Sequence, residues 1–244
     1  MMAPLNDAWA SSAPHLTMAL AVTLAFAAVA RGLRSVDPSG MVVGAAACFL
    51  LFAGVGPAAF VVLALLFVMT WGSTRLGSRQ KQELGLAEPR TGRRAAQVLA
   101  NLAVPALSAA LFAGTGNRAW FTAIAAALAE AATDTVASEI GQSRSRTAFL
   151  ITNWARVPAG TDGGITLAGT LAGFAGGSGI TVVSAIAGLI PWSQLWIPAA
   201  AGFVGMLLDS ILGATLQHRG WLSNEMVNLF GTFAAAALAL VLIA

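Results

Sequence analysis

The sequence predicts an all-α protein, a polytopic bundle of about eight membrane-spanning helices. Hydrophobic residues make up 57% of the 244 residues, charged residues only 9%, and the mean hydropathy is +0.78. This composition excludes an ordinary soluble domain. The 26 glycines suit closely packed transmembrane helices, because small residues let helix backbones approach each other. The single cysteine, Cys48, excludes an intramolecular disulfide.

Each predicted span is an apolar run of roughly 20 residues, the length that crosses a bilayer. Eight runs lie at about 14–31, 39–55, 57–75, 95–114, 118–140, 163–190, 195–217 and 225–244, and counts of seven to nine are compatible with the same pattern. The sixth run is rich in glycine, so a break or a re-entrant piece is an alternative to one continuous helix. Residues 1–244 are expected to form one membrane domain, with cytoplasmic segments at about 75–94 and 141–162.

The charges outside the runs predict the orientation. The first run, Leu16 to Ala30, has Asp7 but no basic residue before it, which indicates a retained span instead of a cleaved signal peptide. With the N-terminus outside, only Arg118 of the 13 basic residues lies outside. The positive-inside rule thus explains the net charge of +3 without nucleic acid. We expect an integral protein of a bacterial inner (cytoplasmic) membrane.

Carboxylates gather at the predicted cytoplasmic end of two spans. Glu130, Asp134 and Glu139 belong to the fifth run, and Asp209 belongs to the seventh. Ionisable residues within spans are costly and are functional candidates by default. Because Glu130 and Asp134 are four residues apart, they share a helix face. Magnesium binds few carboxylates and then substrate phosphates, so we expect Asp134 and Asp209 to hold Mg²⁺ with help from Glu139 or Glu130.

An internal repeat relates the two halves of the chain. The segment Asp134–Gln142 matches Asp209–Gln217 at the aspartate, the following hydroxyl, the β-branched residue and the closing glutamine. A loop and a second span with a Leu-x-Gly-Thr segment follow each copy. Both aspartate spans run in the same direction, so the repeat is parallel and Asp134 should face Asp209 across its axis. Chance similarity between apolar segments is the alternative.

The loop before the sixth run offers groups that bind phosphate. Backbone N–H groups, hydroxyls and the positive end of a helix suit an anion, and an arginine fork binds phosphate well. The candidate nucleotide-binding residues are Arg156, Gly160, Thr161, Asp162, Gly163 and Gly164, with Arg93 and Arg94 from the linker and Asn101, Asn228 and Thr232 orienting the site. Alternatively, Thr161 or Asp162 caps the helix. The basic residues of the linker either set the topology and attract anionic lipid or share in binding the nucleotide phosphates: Arg75, Arg79, Lys81, Arg93 and Arg94.

Three strings carry a family resemblance that extends from about Leu16 to the C-terminus. They are Asp134-Thr-Val-Ala-Ser-Glu-Ile-Gly, Arg156-Val-Pro-Ala-Gly-Thr-Asp-Gly-Gly with Gly169-Thr-Leu-Ala-Gly, and Asp209-Ser-Ile-Leu-Gly-Ala-Thr-Leu-Gln. They resemble an integral membrane family of unknown function that includes the transmembrane protein 19 group and the plant and cyanobacterial phytyl-phosphate kinases. The pattern is more distantly similar to dolichol kinases and CDP-diacylglycerol synthases.

The resemblance implies a magnesium-dependent kinase that uses CTP to convert a prenyl monophosphate, phytyl or geranylgeranyl, to the diphosphate. Its partners would be the prenyl phosphate, the nucleotide and membrane lipid, with a homodimer left open. Two departures are Val136, where relatives often have tryptophan, and Arg156, where they often have lysine. Asp162 stands where some relatives have Asn or Glu, which weakens it as an obligatory ligand.

Two other functions remain open from the sequence. A membrane cytidylyltransferase would use the same groups to make a CDP-lipid, and nothing in the residues separates it from a kinase. An ion-coupled transporter of an anionic solute would also place aspartates in parallel repeats. A transporter needs its charged site near mid-membrane with access from both sides, whereas these carboxylates lie at one end.

Overall fold

The computed structural model describes residues 13–87 and 91–244, which fold into a helix bundle. The helices are α1 (Ala13–Gly32), α2 (Pro38–Gly54), α3 (Pro57–Arg75), α4 (Ser78–Glu83), α5 (Ala95–Thr115), α6 (Ala119–Arg144), α7 (Leu167–Ile186), α8 (Trp196–Leu212) and α9 (Asn224–Ile243). Apart from the short α4, each corresponds to one predicted span. The predicted fold class, a polytopic helical membrane bundle, is therefore confirmed.

Among the described residues, six helices are long and apolar enough to cross a membrane. They are α1, α3, α5, α7, α8 with its flanking turns, and α9. Helix α2 is shorter, with 17 residues. Helix α6 is the central helix, buried from Thr122 to Thr133 and in contact with α5, α7, α8 and α9. It carries three carboxylates, and the surrounding helices separate most of its length from lipid.

Helix α7 is continuous, so the sixth run contains neither the break nor the re-entrant piece considered from its glycines. Gly169, Gly173 and Gly177 repeat at four residues and face α6. A Cβ atom on Gly173 would lie 2.5 Å from the carbonyl oxygen of Thr133, and one on Gly177 would overlap the Thr133 hydroxyl. These glycines therefore serve close helix packing.

The predicted cytoplasmic loop at 141–162 is partly regular. Helix α6 extends to Arg144, and a small antiparallel sheet follows. Its strands are β1 (Thr147–Leu150), β2 (Arg156–Pro158) and β3 (Gly164–Ile165), in the order β2-β1-β3. The sheet is an addition to the all-α bundle, and β3 delays the start of α7 from the predicted 163 to Leu167.

The predicted linker at 75–94 also contains ordered structure. Helix α4 lies within it, and Arg93 forms a parallel bridge with Val36. The backbone N–H of Arg93 donates to Ser35 O at 2.9 Å, and that of Asp37 donates to Arg93 O at 3.0 Å. Asp37 caps α2 by accepting from Gly40 N at 2.8 Å, which lowers the pKa of Asp37. The backbone of Arg93 is thus held against the start of α2.

Candidate active site

A polar cavity of about 270 Å³ lies where α6 and α8 end and α5, α7 and α9 begin. Its lining includes Arg93, Asn101, Asp134, Ser138, Glu139, the turn Gly160–Gly164, Thr166, Thr170, Asp209, Ser210, Gln217, Asn224 and Asn228. The polar groups therefore converge at one end of the bundle. The two aspartate helices end at the same cavity, as a parallel repeat requires.

Asp134 on α6 and Asp209 on α8 both line this cavity. With its amide turned to satisfy its neighbours, Asn228 on α9 donates to Asp209 Oδ2 at 3.1 Å and to Asn224 O at 3.1 Å. The amide fixes the orientation of the Asp209 carboxylate. Two carboxylates in one small cavity are an arrangement that a divalent cation stabilises, and magnesium completes its shell with water and phosphate oxygens.

Glu139 also lines the cavity, but its carboxylate already has protein partners. Its Oε2 accepts from Lys81 Nζ at 2.5 Å, and its Oε1 accepts from Thr74 Oγ1 at 2.8 Å. The Lys81 side chain is 2% exposed and also donates to the carbonyl oxygens of Ser73 and Thr74. The sequence left Lys81, the only lysine of the chain, with a role in topology, lipid attraction or nucleotide-phosphate binding. The ion pair with Glu139 was not predicted.

Glu130 lies one helical turn before Asp134, farther from the end of α6, and does not line the cavity. Its side chain is 1% exposed, and neither carboxyl oxygen has a hydrogen-bond partner among the described residues. Gly205 and Gly231 make room for it, since a Cβ atom on Gly205 would lie 2.6 Å from Glu130 Cγ. Within the described part of the chain, no three His, Cys, Asp or Glu residues could hold one metal ion together. Of the carboxylates that line the cavity, Asp134 and Asp209 are the pair carried by the contacting helices α6 and α8.

The turn at Gly160–Gly164 is pinned to the end of α8. Gly160 and Gly163 have positive φ angles of +85° and +71°, which glycine adopts without strain. A Cβ atom on Gly163 would lie 2.5 Å from Ser210 O, so the turn contacts α8 directly. Helix α8 continues into a π-helical turn, Gly213–Gln217, a geometry frequent at functional sites.

Asp162 in this turn is tied to the same π-helical turn. Gln217 Nε2 donates to Asp162 Oδ1 at 2.8 Å. Partial burial raises the pKa of Asp162 above its usual value, while the nearby His218 opposes that shift. The residue holds the turn in place at the rim of the cavity.

The N-terminus of α7 points at the cavity. Thr166 is the N-cap, with its hydroxyl accepting from Gly169 N at 3.0 Å, so the cap is neither Thr161 nor Asp162 as the alternative reading proposed. Thr166 and Thr170 both line the cavity. The free N–H groups and positive dipole of a helix start form an anion site.

Four predicted residues lie outside the cavity lining: Arg94, Arg156, Thr232 and Glu130. Arg156 is exposed on β2, where its guanidinium lies 3.5 Å from Thr147 Oγ1. Arg94 is exposed and precedes α5, with its N–H capped by Gln97. Thr232 is buried and donates to Ala100 O at 3.3 Å, which joins α9 to α5. Among the described arginines, Arg93 is the one that lines the cavity.

Comparisons with known proteins agree with the resemblance seen in the motifs. The uncharacterized membrane protein sll0875 of Synechocystis sp. is 35% identical over 196 residues, 78% of this chain and 76% of the relative. Protein VTE6, chloroplastic, of Arabidopsis thaliana is 32% identical over 198 residues, 76% of this chain and 60% of the relative. The uncharacterized membrane protein MJ0933 of Methanocaldococcus jannaschii is 31% identical over 221 residues, covering 89% and 90% of the two chains.

No solved structure matches. Residues 21–236 match the family described as "Integral membrane protein DUF92". The match covers most of the chain, including every lining residue of the polar cavity. The chain therefore belongs to the DUF92 family of integral membrane proteins.

Proposed function

We propose that this protein is a magnesium-dependent kinase that transfers the γ-phosphoryl group of CTP to a prenyl monophosphate at the cytoplasmic membrane face. One observation carries the proposal: two aspartates on facing helices share a polar cavity with a helix N-terminus, at one end of a membrane bundle. Phosphoryl transfer depends mainly on positioning and charge neutralisation, which these groups supply. The motif resemblance to phytyl-phosphate kinases supports the lipid class.

In this proposal, some residues of the polar cavity bind the nucleotide with its Mg²⁺, and others bind the prenyl monophosphate. Asp134 and Asp209 would bind Mg²⁺, with Asn228 orienting Asp209; a bound ion neutralises charge on the donor phosphates. The Gly163–Thr166 backbone at the start of α7 would take the nucleotide phosphates. Arg93 and Asn101 would hold the acceptor phosphate from the α5 side.

The reaction needs no strong base. A phosphate monoester carries between one and two negative charges near neutral pH, so its oxygen can attack the γ-phosphorus directly. The new P–O bond forms as the bond to the β-phosphate oxygen breaks, and CDP leaves.

Product analysis tests the proposal. Purified protein in lipid nanodiscs receives Mg²⁺, labelled CTP and geranylgeranyl or phytyl monophosphate. We expect prenyl diphosphate and CDP from the unchanged protein. Asp134→Asn and Asp209→Asn should each lower the rate at least about 100-fold, the scale of lost electrostatic stabilisation in the transition state. Glu83→Gln is the control, because Glu83 lies on α4 outside the cavity and pairs with Arg79 and Arg146.

Two other results would redirect the assignment. A CDP-lipid with pyrophosphate would keep the cavity and move the reaction to the cytidylyltransferases. Failure to turn over any nucleotide or prenyl phosphate, together with ion-dependent solute uptake into proteoliposomes, would contradict an enzyme and favour a transporter.

A further inference from the structure

A second cavity, of about 450 Å³, lies between α1, α2, α3 and α5 and is lined mainly by apolar side chains. Phe26, Ala27, Leu63, Leu66 and Phe67 form much of its surface. We call it the apolar cavity. Its volume falls within the range of small-molecule sites, and its apolar lining is typical of such sites.

The lining of the apolar cavity becomes basic at the end nearest the polar cavity. Arg34, Arg75, Lys81 and Arg93 line it there, whereas Leu63 and Leu66 line it deeper in α3. From Thr74 back to Leu63 is eleven residues, or roughly 16 Å at 1.5 Å per residue. That depth is about half of a 30 Å hydrocarbon core. The cavity therefore offers a cationic mouth and an apolar interior reaching about mid-membrane.

The two cavities share a polar wall. Arg93, Asn101 and Thr135 line both of them. Lys81 lines the apolar cavity, Glu139 lines the polar one, and the two side chains form the buried ion pair described above. A molecule with an apolar chain in one cavity can therefore place its head group at the wall, beside the aspartates of the other.

We propose that the apolar cavity binds the isoprenoid chain of the acceptor lipid, with the acceptor phosphate at Arg93 on the shared wall. This inference rests on the proposed function, and it adds where the lipid binds and what selects its chain. A chain that leaves the bilayer gains little from apolar burial alone, because lipid tails are as apolar as leucine. The contribution of the cavity is shape: it positions the phosphate and limits the chain length.

Photocrosslinking tests the position of the chain without needing turnover. The probe is geranylgeranyl monophosphate with a diazirine at the far end of the chain, added to the intact protein in nanodiscs without nucleotide. We expect adducts on the apolar cavity lining, at residues such as Phe26, Leu63 and Phe67. Excess geranylgeranyl monophosphate should suppress them, while excess phospholipid should not. Adducts on other helix faces, or equal suppression by phospholipid, would overturn the proposal.

Two neighbouring alanines provide a matched pair of variants. Ala27 lines the apolar cavity, whereas Ala28 is exposed on the outside of the same helix. Ala27→Trp should lower adduct yield about tenfold and favour the shorter geranyl monophosphate, because the indole fills space meant for the chain. Ala28→Trp should leave both unchanged. Equal effects of the two variants would contradict the proposal.

A second variant that narrows the apolar cavity keeps the test valid if Ala27→Trp fails to fold. Gly44 on α2 also lines the apolar cavity, and a Cβ atom there would meet Val98 Cγ1 at an ordinary 3.7 Å. Gly44→Leu should reproduce the shift to shorter chains. Adducts in the cavity without prenyl diphosphate formation would refute the kinase and keep the lipid site. Product formation with adducts elsewhere would refute the lipid site and keep the kinase.

Discussion

Lys81 and Glu139 form a buried ion pair, so we expect Glu139 to contribute to the stability of the fold. Their side chains are 2% and 13% exposed, so removing one partner leaves a poorly hydrated charge. Lys81→Met should therefore lower the free energy of unfolding by about 3–5 kcal/mol. The double variant Lys81→Met/Glu139→Gln should recover part of that loss. Reversible denaturant unfolding in detergent, read as a double-mutant cycle, measures the coupling.

The control lies on the same short helix. Arg79 is 94% exposed and pairs with Glu83 at the surface, where an ion pair contributes at most about 1 kcal/mol. Arg79→Met should leave stability almost unchanged. If Lys81→Met has an effect as small as that of Arg79→Met, the buried pair does not stabilise the fold.

The sequence predicted that Asp134 and Asp209 meet at one end of the bundle, but it did not predict that Lys81 is buried. Asp134 and Asp209 stand out because a carboxylate within a span is costly. Lys81 does not, since a lysine in a polar segment is ordinarily solvated. Its burial depends on Glu139, 58 residues along the chain, and no local pattern encodes that pairing.

The α6–α7 contact depends on glycine at specific positions of α7. A Cβ atom on Gly177 would overlap the Thr133 hydroxyl, which donates to Ala129 O at 2.7 Å. Gly177→Ala should therefore lower the free energy of unfolding by about 1–3 kcal/mol, the usual cost of overpacking. The expected readout is a lower unfolding temperature in detergent.

Gly179, two residues later, provides the matched control. A Cβ atom there would meet only Met69 Cε, at 3.9 Å. Gly179→Ala should be neutral or stabilising by up to about 1 kcal/mol, because alanine favours the helix over glycine. If Gly177→Ala and Gly179→Ala change the unfolding temperature equally, helix packing does not explain why α7 has glycine at position 177.

Elements were predictable in proportion to their length. Every apolar run became a helix, because a bilayer forces long apolar segments to satisfy their own hydrogen bonds. The strands β1 to β3 contain four, three and two residues, too few for an alternating pattern to emerge. They form because Phe149 pairs with both Arg156 and Ile165, which is a tertiary outcome.

Within the described residues the polar cavity lies at one end of the bundle, so the orientation of the molecule in the membrane is testable. In a Cys48→Ala background, a single cysteine replaces either Arg79, at the end with the polar cavity, or Asn117, exposed in the loop between α5 and α6 at the opposite end. A membrane-impermeant maleimide should label Asn117→Cys in intact cells and Arg79→Cys only after permeabilisation. The positive-inside pattern is the physical reason. The reverse labelling would place the polar cavity outside and contradict access to cytoplasmic CTP.

The wall that contains Arg93 and the Lys81–Glu139 pair has a kinetic consequence. If the chain enters from the apolar side and the nucleotide from the polar side, neither occupant obstructs the route of the other, and either can bind first. In the proposed reaction both must nevertheless be present before any phosphoryl group moves, because the acceptor oxygen itself attacks the donor. Such an enzyme works through a ternary complex assembled in random order, and its two products depart into different phases, one into water and one along the bilayer.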